Sequence, residues 1–327
     1  MKKNVIKYTA SFLLAAVLVY FAFREVDWSA FWDGLLQTRW SWIALFCLFS
    51  VLALVLRAER WRIMLLPLDK SVRRLDIWDS SNIGNIVNVV LPGAGEITRC
   101  AYMRSPALSF DKSFGTIISE RVVDVIAVVV LFAYALVVGF KRFDTLITEG
   151  ILKPLSGSFG LTLWLIVGGV LVLLAGGTWA VFHWRSTSKL CDKAAGMLQG
   201  MWDGVKSIGK IKGKWLFILY TVLIWLCYIA MTWTVQKALP MLPEMNFSDA
   251  VFVSAVGNIA SVIPVPGGIG AYHYLVAITL QTLYGTTWEM GLLYATLSHE
   301  LHSVVLIALG IISYFAISVR RRSKGQA

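Results

Sequence analysis

A chain of 327 residues that is 57% apolar and only 15% charged, with a mean hydropathy of +0.70, lacks the charged quarter that a soluble domain needs to cover its surface. Its formal charge of +11 does not point to nucleic acid as a partner, because the Lys and Arg collect in loops between apolar runs, where they set membrane topology. Cys47, Cys100, Cys191 and Cys227 show no paired spacing, so they give no basis for a disulfide framework or a zinc site.

The chain starts Met1-Lys2-Lys3 ahead of an apolar run from Tyr8 to Phe23, which imitates a signal peptide. Bulky and charged residues, Phe23-Arg24-Glu25-Val26-Asp27-Trp28, stand where a small-residue cleavage site would be, so a first membrane span is expected. At about 20 apolar residues per crossing, full spans are predicted near 7–23, 40–56, 116–139, 161–182, 215–236 and 291–318. Arg57, Arg60, Arg62, Lys70, Arg73 and Arg74 fall in the loop 57–82, seven Lys and Arg in the loop 183–214, and Arg320-Arg321-Arg322-Ser323-Lys324 in the tail. The loops 24–39, 237–249 and 284–290 are poorer in cations, so the positive-inside rule puts both termini and the 183–214 loop in the cytoplasm. The loop 140–160, with Lys141, Arg142 and Lys153, fits that rule least well.

Two stretches repeat one another. The first runs Gly84-Asn85-Ile86 to Pro92-Gly93-Ala94-Gly95, and the second Gly257-Asn258-Ile259 to Pro266-Gly267-Gly268-Ile269-Gly270. Their Gly-Asn pairs lie 173 positions apart and their Pro-Gly pairs 174. Pro removes a backbone donor, and Gly costs about 1 kcal/mol against Ala inside a helix. Such breaks survive in a membrane only where the freed backbone is buried or lines a wet cavity. Pro92, Gly93, Gly95, Pro266, Gly267, Gly268 and Gly270 are therefore read as helix breaks in two broken or re-entrant elements, 82–103 and 248–283.

If each broken element returns to its own side, three full spans separate them and they enter from opposite faces. The expected fold is then all-α and polytopic, with six full transmembrane helices and two broken elements in an inverted repeat. Its single membrane domain, 1–327, has halves at 40–139 and 215–318, and inverted repeats of this kind are the recurring plan of secondary transporters. Were the broken elements to cross fully, eight spans would result with the same termini.

Ionisable residues interrupt two of the apolar runs. Ser119-Glu120-Arg121 with Asp124 opens the third span, and Ser298-His299-Glu300-Leu301-His302 sits in the last. Glu120 and Asp124 share one helix face, and His299 and His302 are near neighbours at i and i+3. A charge at membrane depth costs a few kcal/mol at least, so it normally faces a cavity or an ion partner. The alternative for Glu120 and Arg121 is an interfacial pair at the end of the span. The His spacing differs from that of zinc proteases and no third ligand is evident, so no metal site is predicted. Nor does any Ser or Cys have a recognisable nucleophile setting.

Beside the first break, Glu96 and Arg99 lie one turn apart, and His273 follows the second break by about one turn. Glycines ahead of a helix start expose N–H groups at its positive end, a natural place for a phosphate. Their alternative role is close helix packing. The candidate substrate-binding set is Arg57, Arg60, Asn88, Glu96, Arg99, Glu120, Arg121, Asp124, Asn258, His273, His299, Glu300 and His302.

Arg57-Ala58-Glu59-Arg60-Trp61-Arg62, Asn88 with Pro92-Gly93-Ala94-Gly95-Glu96-Ile97-Thr98-Arg99, Ser119-Glu120-Arg121 with Asp124, and Pro266-Gly267-Gly268-Ile269-Gly270 together resemble the flippase-like transmembrane domain of lysylphosphatidylglycerol synthases. The resemblance covers nearly the whole chain. It implies an integral membrane protein that moves lipids or lipid-linked head groups between leaflets. Family members often carry a basic residue where this chain has Gly93-Ala94, and many have Glu where it has His273, so the substrate is not carried over. The cytosolic aminoacyl-transferase domain of the fused enzymes does not follow, and synthesis of aminoacyl lipid is not expected.

The expectation is a translocase of the cytoplasmic (inner) membrane, without cofactor, metal or catalytic residue, whose partners are membrane lipids with an anionic head group. A homo-oligomer is compatible with it. The head group would enter near Arg57 and Arg60, meet Arg99 and Arg121, and leave past His273, His299, Glu300 and His302. Those histidines also admit proton coupling. The alternative is an intramembrane enzyme or accessory subunit acting on a lipid phosphate or in lipid-linked glycosylation, with the same charges doing acid and base work. A bare scaffold would have no polar cavity between the halves.

Overall fold

The computed structural model describes residues 16–24, 26–91, 93–103, 108–146, 213–260 and 268–323, with a few isolated positions besides. After an N-terminal helical segment at 16–23 come α1 (Trp28–Leu36), α2 (Trp40–Leu65), α3 (Arg74–Val90), α4 (Ala94–Tyr102), α5 (Phe110–Val138) and the short α6 (Phe140–Thr145). The second half holds α7 (Lys214–Ala238), α8 (Phe247–Ile259), α9 (Ala271–Tyr284) and α10 (Trp288–Ser323). The described residues contain no strand.

Among them, α2, α7 and α10 are long and apolar enough to cross a bilayer. They coincide with the spans expected at 40–56, 215–236 and 291–318, and the 29-residue α5 runs over 116–139. Leu48 and Leu52 on α2, Val129 and Val137 on α5, Val222 on α7, and Ile312 and Phe315 on α10 are all exposed. Rows of bare apolar side chains suit lipid and not water. The expected span 161–182, much of 7–23 and of the 140–160 loop, the 183–214 loop apart from Gly213, Lys214 and isolated positions, Arg104, and the tail beyond 323 lie outside the described residues.

Two boundaries differ from expectation. Arg57, Arg60 and Arg62 are not in a loop: α2 continues through them to Leu65. The helix carries on because carboxylates meet these cations, Glu120 and Asp124 across the bundle and Glu59 along it. The first broken element begins at Arg74, not at 82, with Asp76 in the favourable first turn of α3. The expected 24–39 loop holds α1, capped by Asp27, whose carboxylate accepts from the N–H groups of Ser29 and Ala30.

Each broken element is a helical hairpin. In the first, the Ser80 hydroxyl faces the Met103 sulfur at 3.8 Å, Gly84 abuts Arg99, and Asn88 meets Gly95 at 2.8 Å. Partners that draw together toward the break mark α4 as folding back along α3. Gly93 turns the chain at φ +85°, a value only glycine adopts at no steric cost. A Cβ on Gly95 would collide with the Gly84 carbonyl and the Asn88 amide. In the second hairpin, Gly257 lies under the Tyr272 ring, while Phe252, Ala255 and Val256 pack against Leu275 and Ile278. Gly268 and Gly270 have φ +76° and +83°, and an Asn246–Asp249 capping box starts α8.

The α3–α4 hairpin is flanked by α2 and α5, and the α8–α9 hairpin by α7 and α10. Across the middle, α2 packs along α7, α3 against α10, and α8 against α5. The largest buried cluster joins α1, α2 and α7 to α9 and α10 through Phe46, Val235, Leu280 and Tyr294. A smaller one, with Trp61, Leu65, Ile77 and Ile117, fills the first half.

Candidate functional site

Glu120 has no exposed surface and sits between two guanidiniums. Its Oε1 accepts from Arg60 Nη2 at 2.9 Å and its Oε2 from Arg99 Nη1 at 2.9 Å. Arg60 turns its other prong to Asp124 Oδ1 at 2.7 Å and to the Thr221 hydroxyl at 3.3 Å. Arg99 lies 3.7 Å over the Trp61 ring, whose Nε1 donates to Thr116 at 2.9 Å. Taking such charges out of water costs several kcal/mol per ion unless they are paired in this way.

The network then opens toward a cavity. Arg57 Nη1 donates to the Tyr228 hydroxyl at 3.2 Å, and its Nη2 stands 4.0 Å from Asp124 Oδ2. Arg121 reaches Glu96 Oε1 at 3.2 Å and Asp124 Oδ2 at 3.7 Å. Within this network four guanidiniums face three carboxylates, and Glu300 is a further carboxylate in the cavity lining. Buried Arg121 Nε and Asp124 Oδ2 have no hydrogen-bond partner among the described residues, so the network is not fully satisfied by its own members.

The cavity has a volume of about 580 Å³ and takes side chains from both hairpins and both long helices that follow them. Asn85, Asn88 and Val89 come from α3, Ser254 and Asn258 from α8, Arg121 and Asp124 from α5, and His299, Glu300 and His302 from α10. Arg57 of α2 and Trp225 and Tyr228 of α7 close it. The volume falls within the range of roughly 300–1,000 Å³ typical of small-molecule sites.

At the α10 wall, His299 Nδ1 and Glu300 Oε1 are 2.8 Å apart, and His273 Nε2 lies 3.8 Å from the same oxygen. The rings of His273 and His299 are 5.4 Å apart. His302 does not join them, despite its spacing from His299. Its Nδ1 pairs with the Ser50 hydroxyl of α2 at 2.8 Å. One helical turn sends the two imidazoles to different neighbours.

Of the candidate residues, Arg57, Asn88, Arg121, Asp124, Asn258, His299, Glu300 and His302 line the cavity. Arg60, Arg99 and Glu120 stand buried behind it, Glu96 pairs with Arg121, and His273 supports the His299–Glu300 pair. Asn258 Nδ2 also donates to the Ser254 carbonyl at 2.8 Å. Pro92, Pro266 and Gly267 lie outside the described residues. The N–H groups of Gly93 and Gly95, expected to face a phosphate, are taken by Asn88 Oδ1 at 3.1 and 2.8 Å. The short Asn side chain reaches across the hairpin and caps α4 itself.

Ser50, Trp61, Thr221, Tyr228, Ser254, Tyr272 and Ser298 are absent from the sequence-predicted set. Ser50 and Tyr228 had a signal, being polar groups inside apolar runs. Trp61 had none, since nothing local says which face of α2 Arg99 will stack upon.

Against known proteins, residues 8–310 match the family model described as the Lysylphosphatidylglycerol synthase TM region. No curated protein and no solved structure matches the chain.

Proposed function

The chain belongs to the lysylphosphatidylglycerol synthase TM region family, a multi-pass membrane family tied to lipids, and we propose that it carries a phosphate-bearing lipid head group across the cytoplasmic membrane through the central cavity. The observation that carries this reading is that one cavity, about 580 Å³, is walled by both hairpins and holds Arg57 and Arg121 at its surface. Their side chains are 17% and 38% exposed, so they can reach a guest. Arg60 and Arg99 hold Glu120 behind them. A cavity of this size takes a head group while the acyl or prenyl tails stay in the bilayer.

Alternating access is supported by the helix pairings. Each half, 40–139 and 215–318, is ordered as a long helix, a hairpin and a long helix, and every hairpin touches the final helix of the other half, α3 on α10 and α8 on α5. We read this as an inverted repeat with a pseudo-twofold axis in the membrane plane. With nine residues, α4 extends about 14 Å, under half of the roughly 30 Å of hydrocarbon. That favours hairpins that return to their own side. In this reading the first enters from the cytoplasm, where both termini lie, and the second from outside.

The test is purified protein in vesicles bearing a head-group-labelled anionic phospholipid, with an impermeant quencher reporting movement between leaflets. Wild-type protein is expected to speed movement, and Arg57→Gln and Arg121→Gln to slow it by roughly tenfold or more each, the loss of one charge-assisted hydrogen bond. Chromatography of the lipid should find it chemically unchanged. Movement no faster than in protein-free vesicles, or undiminished in both variants, contradicts the reading, and an altered lipid would favour the enzyme.

A further inference from the structure

Three donor groups converge where α9 begins and α10 passes the second hairpin. His273, His299 and Glu300 each place one ligand atom within 4.8 Å of the other two. Glu300 Oε1 is shared, 2.8 Å from His299 Nδ1 and 3.8 Å from His273 Nε2. Two His nitrogens and a carboxylate oxygen form a ligand set that holds zinc, with bonds of about 2.0–2.2 Å. Tetrahedral bonds of that length put ligand atoms roughly 3.4 Å apart, so side-chain shifts of about an ångström would close the set around an ion.

A second observation is independent of the grouping. His273 is 2% exposed, yet its Nδ1 has no hydrogen-bond partner among the described residues, and Nε2 is too far from Glu300 for a hydrogen bond. A buried imidazole that makes no hydrogen bond is costly, and a cation bound at Nε2 would give the ring a strong partner on the side that faces Glu300. The site also has a mouth, because His299 and Glu300 line the cavity while His273 stands behind them.

We propose that His273, His299 and Glu300 bind one first-row divalent metal ion of the zinc type, leaving an open coordination position toward the cavity. An ion there could take a phosphate oxygen as a Lewis acid, a role that rests on the lipid reading. Metal binding itself does not depend on that reading.

The full chain, in detergent, freed of any affinity tag and stripped with chelator, is titrated with Co²⁺ and with Zn²⁺. Saturable binding of one ion per chain is expected, with the visible d–d bands of four-coordinate Co²⁺ and no thiolate charge-transfer band. His273→Ala and His299→Ala should each weaken binding by at least about tenfold, the loss that follows removal of a mere outer-shell partner. His183→Ala removes the one other histidine beyond this site and His302 and should leave binding unchanged. If an Ala variant does not purify as a monodisperse species, His273→Gln and the wild-type titration decide. No saturable binding by the wild type, binding undiminished in the His273 and His299 variants, or a thiolate band would overturn the proposal. Because no lipid is present, this outcome is separate from the vesicle result.

Discussion

Glu120 shows how a charge is kept inside a membrane protein. Both its oxygens are bound by guanidiniums at 2.9 Å, and neither it nor Arg60 has exposed surface. Glu120→Ala would leave Arg60 and Arg99 facing each other without their common anion. Breaking a buried pair of this kind costs about 3–5 kcal/mol, so the variant should unfold at lower temperature and denaturant in detergent. Unfolding like the wild type would mean that the network contributes little. The sequence made Glu120 and Asp124 legible as one polar helix face and Arg57, Arg60 and Arg99 as nearby cations. It could not say that Arg60 is sealed away while Arg121 reaches the cavity, since burial depends on α7 supplying Thr221 from 161 residues along the chain. His273 was legible as an odd residue after the second break. Its place as a third neighbour to His299 and Glu300 comes only from the packing of α9 on α10.

At the level of elements, the hairpins were legible because Pro and Gly break a helix wherever they fall together. Their direction was not, because folding back depends on Gly84 and Gly95 letting α3 and α4 touch. Two glycines two positions apart should therefore respond differently to Ala. No described residue lies within 4 Å of a Cβ on Gly93, so Gly93→Ala costs about 1–2 kcal/mol, the left-handed backbone penalty alone. In Gly95→Ala the new methyl meets the Gly84 backbone, which cannot give, and the hairpin must open. Thermal unfolding of the two purified variants should rank Gly95→Ala well below Gly93→Ala, and equal or reversed losses would contradict close α3–α4 packing. The end of α2 is hidden in the sequence for a simpler reason. Arg57, Arg60 and Arg62 look like loop cations until their partners on α5 and beside them are known.

For the molecule as a whole, two ion pairs tie the hairpins to distant parts of the chain. Asp79 on α3 pairs with Arg320 on α10, and Asp249 on α8 pairs with Arg142, just past α5. The first hairpin is thereby tied near its start to the end of α10, and the second to the segment just past α5. Composition made the membrane setting and the helical class legible, and the repeated Gly-Asn and Pro-Gly spacing suggested two halves. The cavity could not be read in advance, because it exists only where side chains distant in the chain meet: Asn88 and Arg121 from before residue 140, and Asn258 and Glu300 from after residue 213. The most direct measurement is photocrosslinking, in vesicles, with an anionic phospholipid that carries its reactive group beside the phosphate, followed by mapping of the adducts. Adducts on the cavity-lining segments of both hairpins, around Asn88 and Asn258, with loss of these when Arg57 and Arg121 are both replaced by Gln, are the result expected of a head group that passes between the halves. Adducts confined to outward-facing positions such as Val129, Val137 and Phe315, unchanged by those replacements, would contradict it.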